Sequence, residues 1–185
     1  MQNDSLLGFA LLGLLHQQPM SGYDLRKMFA STAMGSFSDS PGAIYPALKR
    51  LETRALVRGT VEKSNGLRQR RVFRNTPRGM AALKAWLRKP LTRDDVIRSL
   101  DGVMLRFSVM DFTLGEEQSV RLLEQLIGEI SGYIPSLRQY LEVHAPEMPL
   151  SGRLALECGI YAYEAQLKWA KSSLARYERK NGGKS

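Results

Sequence analysis

The chain has 185 residues, enough for one large domain or two small ones with a buried core. Its single cysteine, Cys158, excludes an internal disulfide, so a reducing, cytoplasmic setting is expected. Residues 1–90 carry 15 Lys and Arg against 5 Asp and Glu, a net charge of +10, whereas residues 91–185 carry 12 against 13, a net charge of −1. This asymmetry indicates a first half that meets a polyanion and a second half with a different task.

The first helix is predicted over residues 4–16, with Asp4 or Ser5 as its cap and Pro19 ending it. Its run LLGFALLGLL has the length of a signal-peptide core, but no basic residue precedes it and no small-residue cleavage site follows, so a buried helix is expected. No segment approaches the roughly 18 apolar residues of a membrane span, so no membrane partner is expected. Ser21 is predicted to start a second helix with Leu25, Met28 and Phe29 facing inward.

Residues 40–75 are predicted to form a short helix followed by a basic hairpin. Ser40 caps the helix, and Ile44, Leu48 and Leu51 fall on one face. Pro46 leaves two alternatives, a helix that starts near Ala43 or a kinked helix. The strands VRGTVEK and LRQRRVFR are joined across Asn65-Gly66, a type I′ turn signal. A helix followed by an Arg-rich hairpin is typical of a winged helix-turn-helix, in which the helix reads a groove and the hairpin is the wing.

The second half is predicted to be helical throughout. After a helix from Thr76-Pro77 to Pro90, apolar residues recur in steps of four and three from Val96 to Met110 and from Val120 to Leu141. Thr113 and Glu116 are predicted to form a capping box. The last stripe supplies five candidate dimerisation residues, Leu156, Ile160, Tyr163, Leu167 and Leu174. The seven-residue repeat fits either an intramolecular hairpin or a dimer interface, and the amount of apolar surface favours the dimer.

Several stretches together are similar to the winged-helix domain of the PadR family of bacterial transcriptional regulators. The similarity runs through LLGLL, PMSGYDLRKMF, SPGAIYPALKRLETRALV and RVFRNTPRGMAALKAWL, roughly Leu7 to Leu87. RDDVIRSLDGVMLRF and LECGIYAYEAQLKWA resemble, more loosely, the helical tail of the family's longer branch. Family members usually have Gly where this chain has Ala55, and Ala ends a helix in a left-handed cap less easily.

The candidate DNA-binding residues come from three places. The second helix starts with Ser21 and Tyr23, whose neighbouring amides are placed to hold a phosphate. The resemblance implies that the third helix enters the major groove and that Tyr45 contacts the DNA backbone. The wing region 58–78 holds seven cations against Glu62, although such charges can also be a solvated edge that blocks strand pairing. The full candidate set is Ser21, Tyr23, Ser40, Tyr45, Lys49, Arg50, Lys63, Arg68, Arg70 and Arg71.

No motif or cluster for catalysis, for a cofactor or for a metal is present in the sequence. His16 is interpreted as a helix-end residue and Cys158 as a packed one. The resemblance implies that some relatives bind small phenolic or other apolar ligands where the two halves meet. A small apolar or aromatic effector is therefore kept as a partner. For any single candidate aromatic side chain, plain core and interface packing is the favoured interpretation, and we assign no ligand residues.

The sequence thus predicts a mainly α chain with a small β-hairpin wing. Residues 1–90 would form a winged helix-turn-helix that binds double-stranded DNA, and residues 91–185 a helical, coiled-coil-like dimerisation and effector domain. The expected protein is a cytoplasmic, homodimeric, sequence-specific transcription regulator and not an enzyme. Repression on a two-fold-related operator is the first choice. Activation is the alternative within the class, and a dimeric adaptor that does not bind DNA is the alternative outside it.

Overall fold

The computed structural model describes residues 5–31, 41–63 and 69–182. The chain divides into two compact units, Met1–Lys89 and Pro90–Ser185. Within the described residues the protein is mainly helical with one small antiparallel sheet. The predicted fold class, a winged-helix unit followed by a helical tail, is confirmed.

The first unit consists of four helices and three strands. Its elements are α1 (Leu6–Gln17), β1 (Met20–Ser21), α2 (Gly22–Ser31), α3 (Pro41–Thr53), β2 (Val57–Lys63), β3 (Gln69–Asn75) and α4 (Pro77–Leu87). Helix α1 is buried along most of its length, as its apolar run predicted, and the Ser5 side chain caps it by accepting a hydrogen bond from the Gly8 amide. Trp86 of α4 stacks on Phe9 of α1, with ring centroids 4.4 Å apart.

The sheet has the order β1-β3-β2, with all neighbours antiparallel. The two wing strands are as predicted, but β1 was not predicted from the sequence. Met20 and Ser21 pair with Phe73 and Val72, so Ser21, predicted only to precede the second helix, also lies in a strand. The helix itself covers the predicted stretch, Gly22–Ser31. The Asn65-Gly66 turn lies outside the described residues. Val72 and Phe73 are adjacent, so they point to opposite faces of the sheet, and both are buried. The sheet is therefore covered on both faces at this point, and the predicted alternation between a packed and a free side does not hold there.

Helix α3 buries the predicted face, Ile44, Leu48 and Leu51, and runs through Pro46 without interruption. It ends in a left-handed cap, with Ala55 at a φ of 56°. The Ala55 amide donates to the Glu52 carbonyl at 2.9 Å, and the Leu56 amide donates to the Leu51 carbonyl at 2.8 Å. This is a Schellman motif formed around alanine. Ala55 therefore adopts a left-handed cap, although alanine does so less easily than glycine.

The second unit consists of α5 (Arg93–Arg98), α6 (Leu100–Leu114), α7 (Glu116–His144), a short 3₁₀ turn (Ala145–Glu147) and α8 (Leu150–Gly182). The predicted capping box of Thr113 and Glu116 is wrong. The Thr113 hydroxyl donates to the Val109 carbonyl inside α6, and Gly115, at a φ of 94°, separates α6 from α7. A capping box forms instead between Thr92 and Asp95 at the start of α5.

Helices α7 and α8 form an antiparallel hairpin. Arg138 pairs with Glu164 near one end of it, and Lys180 pairs with Glu116 near the other. The five candidate dimerisation residues lie on one face of α8. Ile160 is buried within the protomer, and the other four are half-buried. Tyr163 meets Tyr133 of α7 edge to face, with centroids 5.2 Å apart. The predicted stripe is therefore covered to a large extent by the chain itself.

Cys158 is exposed, so the interpretation of it as a packed residue is wrong. It belongs to the face of α8 opposite the covered stripe. In the described parts of the chain, none of the helices combines the length and the apolar character that crossing a membrane requires.

Candidate nucleic-acid interface

A groove of about 550 Å³ lies on the first unit, between the start of α2, helix α3 and strand β3. Leu48 and Phe73 form its apolar floor, and polar and aromatic side chains form its rim. Six of the ten predicted DNA-binding residues line this groove, although they are spread over 51 positions of sequence. They are Ser21, Tyr23, Tyr45, Lys49, Arg70 and Arg71.

The aromatic residues of the rim are well exposed. Tyr23 is 67% exposed and Tyr45 52%, and each belongs to a different helix. A Cβ atom at Gly22 would lie 2.5 Å from the Tyr45 ring, so the absence of a side chain at Gly22 allows Tyr45 to pack against the start of α2. The two hydroxyl groups can donate to acceptors outside the protein, as a phosphate contact requires.

The other four predicted residues are placed differently. Arg50 is exposed on α3 outside the groove lining. Ser40 and Arg68 lie outside the described residues, and so does the side chain of Lys63, whose backbone ends strand β2.

Ser21 is tied to Asp24 by a reciprocal pair of bonds. The Ser21 amide and hydroxyl donate to the Asp24 carboxylate at 3.1 and 2.7 Å, and the Asp24 amide donates to the Ser21 oxygen at 3.2 Å. The bonds from Ser21 lower the pKa of Asp24, and Arg70, 3.9 Å away, lowers it further. The start of α2 therefore already holds a carboxylate, which restricts the role predicted for Ser21 as part of a phosphate-binding helix start.

Arg71 is held against α3 by Glu52. Its Nη2 donates to both carboxylate oxygens, at 2.7 and 2.9 Å, and its guanidinium lies 5.5 Å from the centre of the Phe73 ring. The Gly59 amide also donates to Glu52, at 3.0 Å. Along the sequence Glu62 is the single anion of the wing region, but in the structure Asp24 and Glu52, which lie outside that region, are acidic neighbours of its arginines. The Ser21 to Asp24 spacing of a capping box was a signal for the first, but nothing local indicated the second.

Positive charge is nevertheless concentrated in the wing. Arg58 faces Arg74 directly across the β2–β3 ladder, and Glu62, which faces Arg70, pairs with Arg74 at 2.9 Å. Like charges directly opposite each other destabilise an antiparallel pair. A cluster that lowers stability in this way is typical of a surface whose charge serves binding.

No group of three or more His, Cys, Asp and Glu side chains that could hold a metal ion occurs among the described residues. The arrangement of the groove instead provides hydroxyl and cationic donors on a rigid helix and an adjoining strand. These are the groups that bind phosphate oxygens and base edges.

Residues 11–85 match the family model described as "Transcriptional regulator PadR-like family". This range covers α1 from its middle, the groove and nearly all of α4. No curated protein sequence matches the chain.

Solved structures that are similar to the chain include the following three. Bacillus subtilis PadR in complex with operator DNA has 22% identity and a TM-score of 0.45, with 92% of this chain and 98% of that one covered. A PadR-like transcriptional regulator from Bacillus cereus has 26% identity and a TM-score of 0.41, with 94% and 99% covered. Bacillus subtilis PadR in complex with p-coumaric acid has 20% identity and a TM-score of 0.42, with 94% and 96% covered.

Proposed function

We propose that this chain, whose residues 11–85 form a PadR-like domain, is a sequence-specific DNA-binding transcription regulator. The observation that carries the proposal is the groove, in which exposed Tyr23, Tyr45 and Lys49 stand beside Arg70 and Arg71 of the wing. A helix that presents donors beside a basic β-ribbon fits the dimensions and the charge of duplex DNA.

In the proposed complex α3 lies in the major groove and the wing follows the adjacent backbone. Lys49 and Arg50 are exposed on α3, where they can reach phosphates or guanine edges. Tyr23 and Tyr45 donate to phosphates and fix the register of the helix. The wing cations, including the predicted Lys63 and Arg68, neutralise phosphate charge.

We further propose that the protein acts as a homodimer formed by the tail. On α8 a row of apolar residues in steps of four and three remains exposed: Leu150, Leu154, Cys158, Tyr161 and Ala165. Leu150 is 62% exposed, Leu154 51% and Tyr161 66%. The covered stripe of Leu156 and Ile160 occupies the opposite face, so the exposed row is the better candidate for the contact with a second copy.

The dimer is tested by Leu154→Glu with Tyr161→Glu, which places two carboxylates in the exposed row. Sedimentation should show a wild-type dimer and a folded monomeric variant, because burying unpaired charges in an apolar contact is strongly unfavourable. Ser136→Glu, on an exposed position of α7, is the control and should remain dimeric. If the double variant stays dimeric, the row is not the interface.

Repression is the proposed mode, because a dimer that covers its operator blocks a promoter by occupancy alone. A small apolar or aromatic effector remains a prediction for the tail. Two aromatic contacts there, Phe107 with Trp169 and Tyr133 with Tyr163, are edge to face within the unit.

DNA binding is tested by selecting duplexes from a random-sequence pool with the purified protein. The enriched duplex and a shuffled duplex of equal length are then titrated at several salt concentrations. A specific regulator should prefer the enriched duplex by roughly a thousandfold or more. Lys49→Ala should weaken binding and reduce the salt slope by about 0.9, the contribution of one phosphate contact.

Lys168→Ala is the matched control, since it removes the same charge from an exposed position of the tail. It should leave both the affinity and the salt slope unchanged. A pool that yields no enriched sequence, with equal and weak binding to both duplexes, would refute sequence-specific recognition.

A further inference from the structure

Glu52 connects three separate parts of the first unit. It lies in the last turn of α3, and its carboxylate accepts hydrogen bonds from the Gly59 amide of β2 and from Arg71 of β3. One side chain therefore joins the helix proposed to read DNA to both strands of the wing. Its side chain is 28% exposed, so it is shielded more than that of Arg71, which is 55% exposed.

The surroundings of this connection are shaped for it. A Cβ atom at Gly59 would lie 2.5 Å from the Arg71 Nε and 3.0 Å from both Glu52 Oε1 and the Phe73 ring. The glycine thus leaves the space through which the arginine crosses β2. The Phe73 ring beneath the guanidinium adds a cation–π contact at 5.5 Å. Both bonds from Arg71 to Glu52 use the Arg71 Nη2, so the Nη1 and Nε groups can donate to DNA.

We infer that Glu52 is a positioning residue for DNA recognition: it fixes Arg71, and with it the wing, relative to α3. The inference rests on the proposed function. In the specific complex the arginine is already ordered, so binding loses less side-chain freedom. On unrelated DNA the same carboxylate occupies an Arg71 donor, which weakens non-specific binding. Glu52 therefore raises the ratio of specific to non-specific affinity.

The wing contains a second glutamate, Glu62, whose replacement serves as a control that changes the charge without changing the link to α3. Glu62 also pairs with an arginine, Arg74, at 2.9 Å. That pair lies within the β2–β3 hairpin and makes no connection to α3. Glu52→Gln and Glu62→Gln change the net charge by the same amount and each releases one wing arginine, but only the first weakens the link between wing and helix.

Both variants are titrated with the duplex enriched by the wild-type protein and with its shuffled version. Each should bind shuffled DNA up to about fivefold more tightly at 0.15 M salt, with a salt slope steeper by as much as about 0.9, because an arginine is released to the phosphates. Glu52→Gln should in addition lose about threefold to tenfold of affinity for the enriched duplex, from the ordering of the released side chain. Its preference then falls by about threefold to fiftyfold. Glu62→Gln should strengthen binding to both duplexes alike and keep its preference within about twofold.

Gly59→Ala is a second, uncharged way to displace Arg71. It should lower the preference for the enriched duplex, as Glu52→Gln does, although the Glu52 charge is retained. In a background of Arg71→Ala, Glu52→Gln should have no further effect on the preference, because Glu52 acts through the arginine. Circular dichroism and thermal melting establish that each variant is folded.

Two results would overturn the inference about Glu52 and leave the proposed function intact. One is a specific wild-type protein whose preference survives Glu52→Gln, and the other is an equal loss of preference in Glu62→Gln. A wild-type protein that prefers no sequence at all would instead overturn the proposed function, and this inference with it.

Discussion

Replacing Ala55 by glycine should stabilise the first unit. Ala55 sits at the end of α3 at a φ of 56°, in the left-handed region that costs a residue with a Cβ atom roughly 1–2 kcal/mol. The side chain is exposed, so its removal leaves no cavity. Glycine brings an entropic disadvantage of about 0.4–1 kcal/mol by loosening the unfolded chain. The difference favours Ala55→Gly by about 0.7 kcal/mol.

The left-handed conformation of Ala55 is held by hydrogen bonds and by apolar packing around the cap. The Thr76 hydroxyl donates to the Ala55 carbonyl at 2.7 Å, and the Thr76 amide donates to the Leu56 carbonyl at 3.1 Å. Leu56 and Leu51, the apolar pair of the Schellman motif, are both buried. Glycine keeps all of these contacts and removes only the strain.

Urea unfolding followed by Trp86 fluorescence measures the effect. Trp86 is buried on Phe9 in the same unit, and Trp169→Phe removes the other tryptophan of the chain. The midpoint should rise by about 0.4 M for an m value of about 1.5–2 kcal/mol/M. Ala85→Gly, at an exposed position inside α4, is the matched control and should lower the stability by about 1 kcal/mol. A fall in midpoint for Ala55→Gly as well would refute the reasoning.

Three further predictions concern single positions. Gly79→Ala should destabilise the first unit by about 3 kcal/mol or more in urea unfolding, since its Cβ would lie 1.9 Å from the Leu56 carbonyl oxygen; a loss below about 1 kcal/mol would mean that the backbone yields easily. Tyr177 donates to Asp111 at 2.8 Å, and burial together with this bond raises its pKa to about 12. The contribution of Tyr177 to the stability of the tail should therefore be complete below pH 10 and be lost as the pH rises toward 12. Thermal melts of Tyr177→Phe should lack this loss. The lowered pKa of Asp24 means that its stabilising contribution is complete above the ordinary value of 3.8 and is lost as the pH falls below it. Acid titration of stability should accordingly be shallower for Asp24→Asn, and identical curves would contradict the role of the Ser21 bonds.

Much of the architecture follows from local patterns in the sequence. The apolar spacing of Ile44, Leu48 and Leu51 determines the buried face of α3, because residues three and four apart share one side of a helix. Ser5 and Thr76 mark helix starts, since short hydroxyl side chains satisfy the first amides. The positions and the charge of the wing strands were also readable in advance.

The errors lie where distant parts of the chain decide the outcome. Strand β1 has only two residues, and it exists because β3 offers it an edge. The stripe of Leu156 and Ile160 is covered to a large extent by the chain itself, and because an apolar period is the same whether the cover comes from α7 or from another chain, its contact with a second copy stays an untested prediction. Cys158 seemed packed from its neighbours, but it lies on the face of α8 that α7 does not cover.

The sequence by itself indicated the charge difference between the two halves, the helices of the first unit, the basic wing and six of the residues that line the groove. Only the tertiary structure decided that Asp24 and Glu52 stand beside Arg70 and Arg71, because ion pairs between elements depend on how helices and strands pack rather than on sequence spacing. Charge counted along the chain described the wing as almost purely cationic. Charge placed in space shows two of its arginines held by carboxylates from the neighbouring helices.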